Sequence, residues 1–270
     1  MFIELLIVLF DLAFTSLITG LIIPVGKGYH YWVPFLLSVA GYVIGLALIW
    51  LMLTVFALPY DKNKKYEKPS KWASFWLREA ITYIDYHAGV RVKINNDIDL
   101  PSERYLLVCN HRSKFDPMIL CQLYGNQDLA FISKPTNFKI PLGGHFMKAS
   151  CYLPIDRYDK LKSLEVMNEA IELINQKNAS IGVFPEGTRS EDCSLGNFHE
   201  GVFNIAKRTN CPIVITSISG TENIHKNFPK KRTRVELNIL EIMYPTDYSD
   251  MVAKDISNHA YELIKNSLSE

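Results

Sequence analysis

Residues 105–123 read YLLVCNHRSKFDPMILCQL. Tyr105–Cys109 is a short, wholly apolar run, as expected of a strand buried on both faces, and Met118–Leu123 behind Pro117 has the pattern of a helix. Between them lies a polar turn, Asn110-His111-Arg112-Ser113-Lys114-Phe115-Asp116. A strand that turns into a helix is the repeating unit of an α/β fold. In such folds ligands gather just past the carboxyl ends of the strands. His111 and Asp116 are five positions apart, which on one helix would turn their side chains away from each other. A strand-to-helix turn instead lets the carboxylate fold back onto the imidazole, fix its tautomer and raise the basicity of the other ring nitrogen. A structural reading stands beside this one. Asp116-Pro117 also suits a helix start, and Ser113 with Asp116 fits a capping box.

Outward from this unit the same pattern recurs. Val90–Ile94, Leu129–Ser133, Ile181–Phe184, Pro212–Ile218 and Val235–Met243 are further strand-like runs bounded by turn residues. Leu161, Leu164, Met167, Ile171 and Ile174 form one helical apolar stripe, and Val252, Ile256, Ala260, Leu263 and Ile264 another. The expectation is an α/β domain over 89–270, with a mixed, largely parallel central sheet flanked by helices.

The N-terminal part differs in kind. The first 58 residues hold three charges, Glu4, Asp11 and Lys27. Phe2–Ile23 and Trp32–Leu58 are each long and apolar enough to cross a bilayer, so residues 1–58 read as a two-helix membrane hairpin. Pro24, Gly26 and Gly28, with Tyr29, Tyr31 and Trp32, read as its turn and interfacial belt. Gly41 and Gly45 share one face and permit close helix approach. Asp11 is expected either to carry function or to turn toward Thr15 and the partner helix. Residues 59–88 read as a basic, aromatic linker, with an amphipathic helix over 70–88 that lies on an anionic surface or packs on the domain. Lys62, Lys64, Lys65, Lys68, Lys71 and Arg78 follow the hairpin, and the positive-inside rule then puts the domain on the cytoplasmic face of the membrane.

Composition narrows the function. The 29 Lys+Arg nearly balance 28 Asp+Glu, leaving no basic excess for nucleic acid, and 48% hydrophobic residues exclude a disordered chain. Five cysteines form no CxxC pair, which speaks against a disulfide framework or a thiolate zinc site, and the histidines show no metal-ligand spacing. Two further stretches carry chemistry. Phe184-Pro185-Glu186-Gly187-Thr188-Arg189-Ser190 offers a glycine turn, a hydroxyl and a planar cation, a set suited to a phosphate monoester. Glu186 fits beside an anion only if it pairs with a cation or holds the loop. Tyr152-Leu153-Pro154-Ile155-Asp156-Arg157 ends in a charged pair that reads equally as a surface salt bridge.

In order, NHRSKFD, YLPIDR, FPEGTRS and the strand CPIVI resemble the motifs of the glycerolipid acyltransferase superfamily, most closely those of the bacterial 1-acylglycerol-3-phosphate acyltransferases. Ser133-Lys134, with Ile140-Pro141-Leu142-Gly143, and Phe198-His199-Glu200-Gly201-Val202 extend the resemblance, which covers roughly residues 90–225. It implies that His111 is a general base oriented by Asp116, which activates the free hydroxyl of lysophosphatidic acid. The product is phosphatidic acid, and the donor is acyl-CoA or acyl-carrier protein, as co-substrate with no cofactor or metal. Asn110, Lys134, Arg157, Glu186, Gly187, Thr188 and Arg189 are then the substrate-binding residues, and Ser113 is a loop hydroxyl rather than a nucleophile. One departure is Pro135, which stands where the family often has an acidic residue soon after the lysine. Other acceptors, glycerol-3-phosphate or another lysophospholipid, remain open. So does a non-catalytic lipid-binding or tethering protein. A hydrolase is disfavoured by the lack of a GxSxG elbow.

Overall fold

The computed structural model describes residues 1–22, 32–95, 98–190 and 193–269. The chain divides into two compact units, Met1–Pro59 and Tyr60–Glu270. Of the turn and belt expected over 24–32, all but Trp32 lie outside the described residues, and Trp32 is exposed.

In the first unit α1 (Phe2–Ile22) packs along α2 (Trp32–Ala57). Both are long and apolar enough to span a membrane. The two glycines lie at the helix contact as expected. A Cβ on Gly41 would sit 2.5 Å from an Asp11 oxygen, and one on Gly45 would sit 3.3 Å from Ile7 and from Phe10. Asp11 accepts hydrogen bonds from Thr15 Oγ1 (3.2 Å) and, across the helix pair, from Ser38 Oγ (2.9 Å). Its carboxyl therefore has partners within the pair, which lowers the cost of a polar group on so apolar a helix.

The second unit begins with α3 (Lys71–His87), whose first turn is capped by Ser70 Oγ. It continues through β1 (Val90–Ile94), β2 (Leu106–Cys109), α4 (Asp116–Tyr124), β3 (Leu129–Ser133), α5 (Gly143–Ala149), β4 (Leu153–Pro154), α6 (Lys160–Asn175) and β5 (Ser180–Val183). Then come α7 (Asn204–Thr209), β6 (Ile213–Ser219), α8 (Ile224–Asn227), β7 (Thr233–Met243), α9 (Pro245–Tyr248) and α10 (Ala253–Ser269). The sheet has the order β1-β7-β6-β2-β5-β3-β4, parallel throughout except for the antiparallel β6–β7 pair. This is the mixed, largely parallel sheet expected from the sequence. β2 and β5 are buried at every position, as strands covered on both faces must be, whereas β7 alternates along its first half.

Helix α3 packs on α4 and α5 and buries Ala73, Trp76 and Leu77, while Trp72 stays half exposed. Two details depart from the sequence reading. β4 is a two-residue strand that the periodicity gives no sign of. The apolar stripe of α6 is buried only in its C-terminal part. Leu161 and Leu164 are 76% and 56% exposed, because the helix meets the fold through Val166, Ala170, Ile171, Leu173 and Ile174. Val252, 59% exposed, likewise falls outside the expected stripe, because α10 starts one residue later.

Candidate active site

Four parallel neighbours, β2, β5, β3 and β4, end on one edge of the sheet, and the residue runs singled out above follow them: 110–116 after β2, 184–190 after β5, Lys134 after β3 and Arg157 after β4.

At the end of β2 the imidazole and carboxylate meet. His111 Nδ1 lies 2.8 Å from Asp116 Oδ2. That oxygen also accepts the backbone N–H groups of Arg112 (2.7 Å) and Ser113 (2.6 Å), and Oδ1 accepts the Thr221 hydroxyl (2.5 Å). Asp116 is fully buried. Oδ2 already accepts two backbone N–H groups, so it serves the ring as an acceptor too, which makes Nδ1 the donating nitrogen. Nε2 is then a bare lone pair, with no hydrogen bond among the described residues. The Ser113–Asp116 pairing is half of a capping box. The carboxylate caps the Ser113 N–H, but the serine hydroxyl accepts from Phe115 N (3.3 Å) instead of Asp116 N. That hydroxyl is buried in the turn, as expected of a loop residue.

The two motif loops are strapped together. Glu186 accepts the His111 N–H (2.6 Å) with one oxygen and the Gly196 N–H (2.8 Å) with the other, and Ser190 N donates to the His111 carbonyl (3.0 Å). Of the two ways Glu186 was expected to fit, it holds the loop. Burial raises its pKa, and the two N–H donors oppose that rise. The His111 ring stacks on Phe184, with centroids 4.3 Å apart and planes 25° apart, and Phe184 stacks on Phe131.

Asn110, expected among substrate contacts, is buried and spends its amide on the backbone. Its Nδ2 donates to Ile218 O (2.9 Å) and its Oδ1 accepts from Ile218 N (2.8 Å), which extends the β2–β6 ladder by side chain. Gly187 adopts φ +73° with the His199 ring over it, where a Cβ would lie 2.9 Å from that ring and 3.6 Å from Arg157 Nη1. The Arg157 guanidinium thus borders the Glu186–Arg189 loop. Burial without a carboxylate partner lowers its pKa. The expected salt bridge to Asp156 does not form; Asp156 instead accepts the Tyr158 N–H (3.1 Å). Lys134, Thr188 and Arg189 are exposed on the same edge. Pro135 opens a 3-10 turn directly behind Lys134. Among the described residues, none of Lys134, Arg157 and Arg189 has an ion-pair partner.

Sequence reasoning did not single out Thr221, Gly196 or the Phe131–Phe184 stack. Thr221 reaches Asp116 only because β6 runs beside β2, and no local pattern announces that register. The arrangement offers Nε2 as a proton acceptor on a sheet edge that also carries Lys134, Arg157 and Arg189.

The Acyltransferase family model matches residues 91–219. A chloroplastic 1-acyl-sn-glycerol-3-phosphate acyltransferase of Brassica napus is 35% identical over 190 residues, which cover 69% of this chain and 52% of that protein. A probable 1-acyl-sn-glycerol-3-phosphate acyltransferase of Mycoplasma genitalium is 25% identical over 78% of this chain and 81% of its own length. The chain spans about half the length of the chloroplastic relatives it matches. The crystal structure of the 1-acyl-sn-glycerophosphate (LPA) acyltransferase PlsC from Thermotoga maritima superposes with a TM-score of 0.61 at 25% identity, covering 74% of this chain and 79% of that one.

Proposed function

We infer, from an acyltransferase-family domain over residues 91–219 and the relatives that share it, that this protein moves a fatty acyl group from a thioester to the free hydroxyl of lysophosphatidic acid, giving phosphatidic acid. In this reading His111 Nε2 takes the hydroxyl proton as the oxygen attacks the thioester carbonyl. The tetrahedral intermediate then collapses, the C–S bond breaks, and the proton passes from His111 to the departing thiolate. Asp116 keeps the ring in the productive tautomer and stabilises the imidazolium. No covalent acyl-enzyme is required, because the thioester is already activated.

Arg157 and Arg189, with Lys134, hold the acceptor phosphate, and Gly187 and Thr188 shape its pocket. Two arginine forks suit the dianion better than point charges would. Glu186 and Asn110 act as positioning residues, through the His111 backbone and the strand end. The donor is acyl-CoA or acyl-carrier protein. The apolar hairpin holds the protein at the bilayer where acceptor and product reside, with the domain on the cytoplasmic face.

The observation that carries this reading is the 2.8 Å His111–Asp116 contact, with Nε2 unengaged on the edge that also bears the unpaired cations. The test is transfer by the purified protein from acyl-CoA and acyl-carrier protein donors to lysophosphatidic acid and glycerol-3-phosphate. Native protein should acylate lysophosphatidic acid. His111→Ala should lose about 10²–10⁴-fold in turnover, the share a general base supplies, with an unchanged thermal melt. Full activity in that variant would overturn the assignment.

A further inference from the structure

The loop between α8 and β7 and the first residues of β1 and β7 carry a concentration of positive charge that the acceptor site does not use. Lys230, Lys231 and Arg232 lie in the loop and Lys226 on the end of α8, all exposed, and among the described residues none of them makes an ion pair. On the strands, Arg91 and Arg234 are direct partners across the β1–β7 pair, and Lys93 stands opposite Glu236. Glu236, opposite Lys93, lies 2.9 Å from Arg234. So much cation on one surface contrasts with a chain whose net charge is +1.

Stability does not explain this arrangement. Like charges placed directly opposite on neighbouring strands are destabilising. Cations on β1 protect an edge strand from pairing with other chains, but the loop lysines lie off the strand and protect nothing. Phe228 is 55% exposed in the same loop, between Lys226 and Lys230 in sequence.

The topology puts this surface beside the reacting centre and away from the acceptor's cations. β2, which carries His111, is the middle strand. Lys134, Arg157 and Arg189 follow β3, β4 and β5 on one side of it, and the cationic surface is built from β7 and β1 on the other. Because β7 runs antiparallel to β6 and parallel to β1, the loop and both strand starts lie on the His111 edge. Ring contact between Phe115 and His225 joins α8, which leads into the loop, to the His111 turn, and the Thr221–Asp116 hydrogen bond joins the segment just before α8 to it. At about 5 Å per strand, β7 is about 10 Å and β1 about 15 Å from β2, within reach of a long thioester arm.

We propose that this surface docks an acidic acyl-carrier protein, whose thioester arm then reaches His111 from the side opposite the acceptor phosphate. The proposal rests on the acyl-transfer reading and selects the donor within it. A protein fits better than a nucleotide because the cations extend from the loop along β1 to Lys93, about 10 Å of strand beyond the loop, farther than one cluster of phosphates spans. An exposed aromatic in a cationic loop is a common composition for a protein interface.

The test uses the full chain with lysophosphatidic acid as acceptor, in zwitterionic micelles and, in parallel, in anionic vesicles. It compares native protein with Lys230→Glu/Lys231→Glu and with Arg91→Glu, on acyl-carrier protein and on acyl-CoA. The expected result is a rise of about tenfold or more in KM for the acyl-carrier protein, strongly salt-dependent in the native enzyme, with constants for acyl-CoA unchanged. Lys230→Gln/Lys231→Gln, which removes charge without adding any, should give a smaller rise in the same direction and guards against misfolding. The proposal is overturned by an unchanged KM for the carrier, by an equal rise for both donors, or by a loss confined to anionic vesicles, which would mark a lipid-binding surface. Native turnover with acyl-CoA but none with the carrier would also overturn it while leaving the acyl-transfer reading intact. Turnover with neither donor would remove that reading itself.

Discussion

Asp116 uses both oxygens, one for His111 and two backbone N–H groups, the other for the Thr221 hydroxyl. Removing that hydroxyl leaves a fully buried carboxylate short of a donor. Thr221→Val should lower stability by about 1–3 kcal/mol and kcat by about tenfold, whereas Thr221→Ser should retain both. Thermal melts and steady-state kinetics on the two variants check this, and rescue by serine separates positioning from packing. At this scale the sequence told half of the site. The spacing of His111 and Asp116 was legible because the turn that joins them is local. The Thr221 contact, the Glu186 strap and the Asn110–Ile218 ladder were not, because each depends on which strands lie side by side.

Strands and helices set the rigidity around the imidazole. Gly182 on β5 faces the buried Phe131 ring of β3, and a Cβ there would lie 2.4 Å from it. Phe131 backs Phe184, which backs His111. Gly182→Ala should therefore destabilise by about 1–3 kcal/mol, as overpacking does, and also reduce kcat by displacing the stack. A melt combined with kinetics would show both effects, and loss of stability alone would break the link to the ring. On α3, Asp85 is buried, and neither carboxyl oxygen has a hydrogen-bond partner among the described residues. Burial pushes its pKa up from 3.8 to about 7. A carboxyl raised in the folded state contributes stability that is whole below about pH 4 and is lost as pH rises through 7, on the order of 4 kcal/mol in all. Melts at pH 5 and pH 8 should fall further apart for the native protein than for Asp85→Asn. Element positions were readable because strand and helix periodicities are local. The exposure of Leu161 and Leu164 was not, since periodicity gives the face of a helix but not how far along it the neighbours extend.

The whole molecule joins two compact units of different composition, the first built on two helices long and apolar enough to span a membrane. Tyr60–Glu270 contains the complete sheet and its covering helices, so a chain beginning at Tyr60 should melt cooperatively. It should also leave zwitterionic vesicles on sedimentation, where the full chain stays in the pellet. A shorter chain that melts without cooperativity would show that the hairpin contributes to the fold. The sequence changes abruptly in charge density after residue 58, next to the Pro59–Tyr60 junction, while the linker expected over 59–88 belongs, from Tyr60 on, to the second unit. With His111 at the end of the middle strand, the two wings of the sheet are free to answer to different pressures. On the acyl-transfer reading, changes in the loops after β3 and β4 would retune the choice of lipid, and changes along β7 and β1 the choice of thioester. Neither would have to disturb the other, so two selectivities could drift apart in descendants of this chain while the imidazole between them stays where it is.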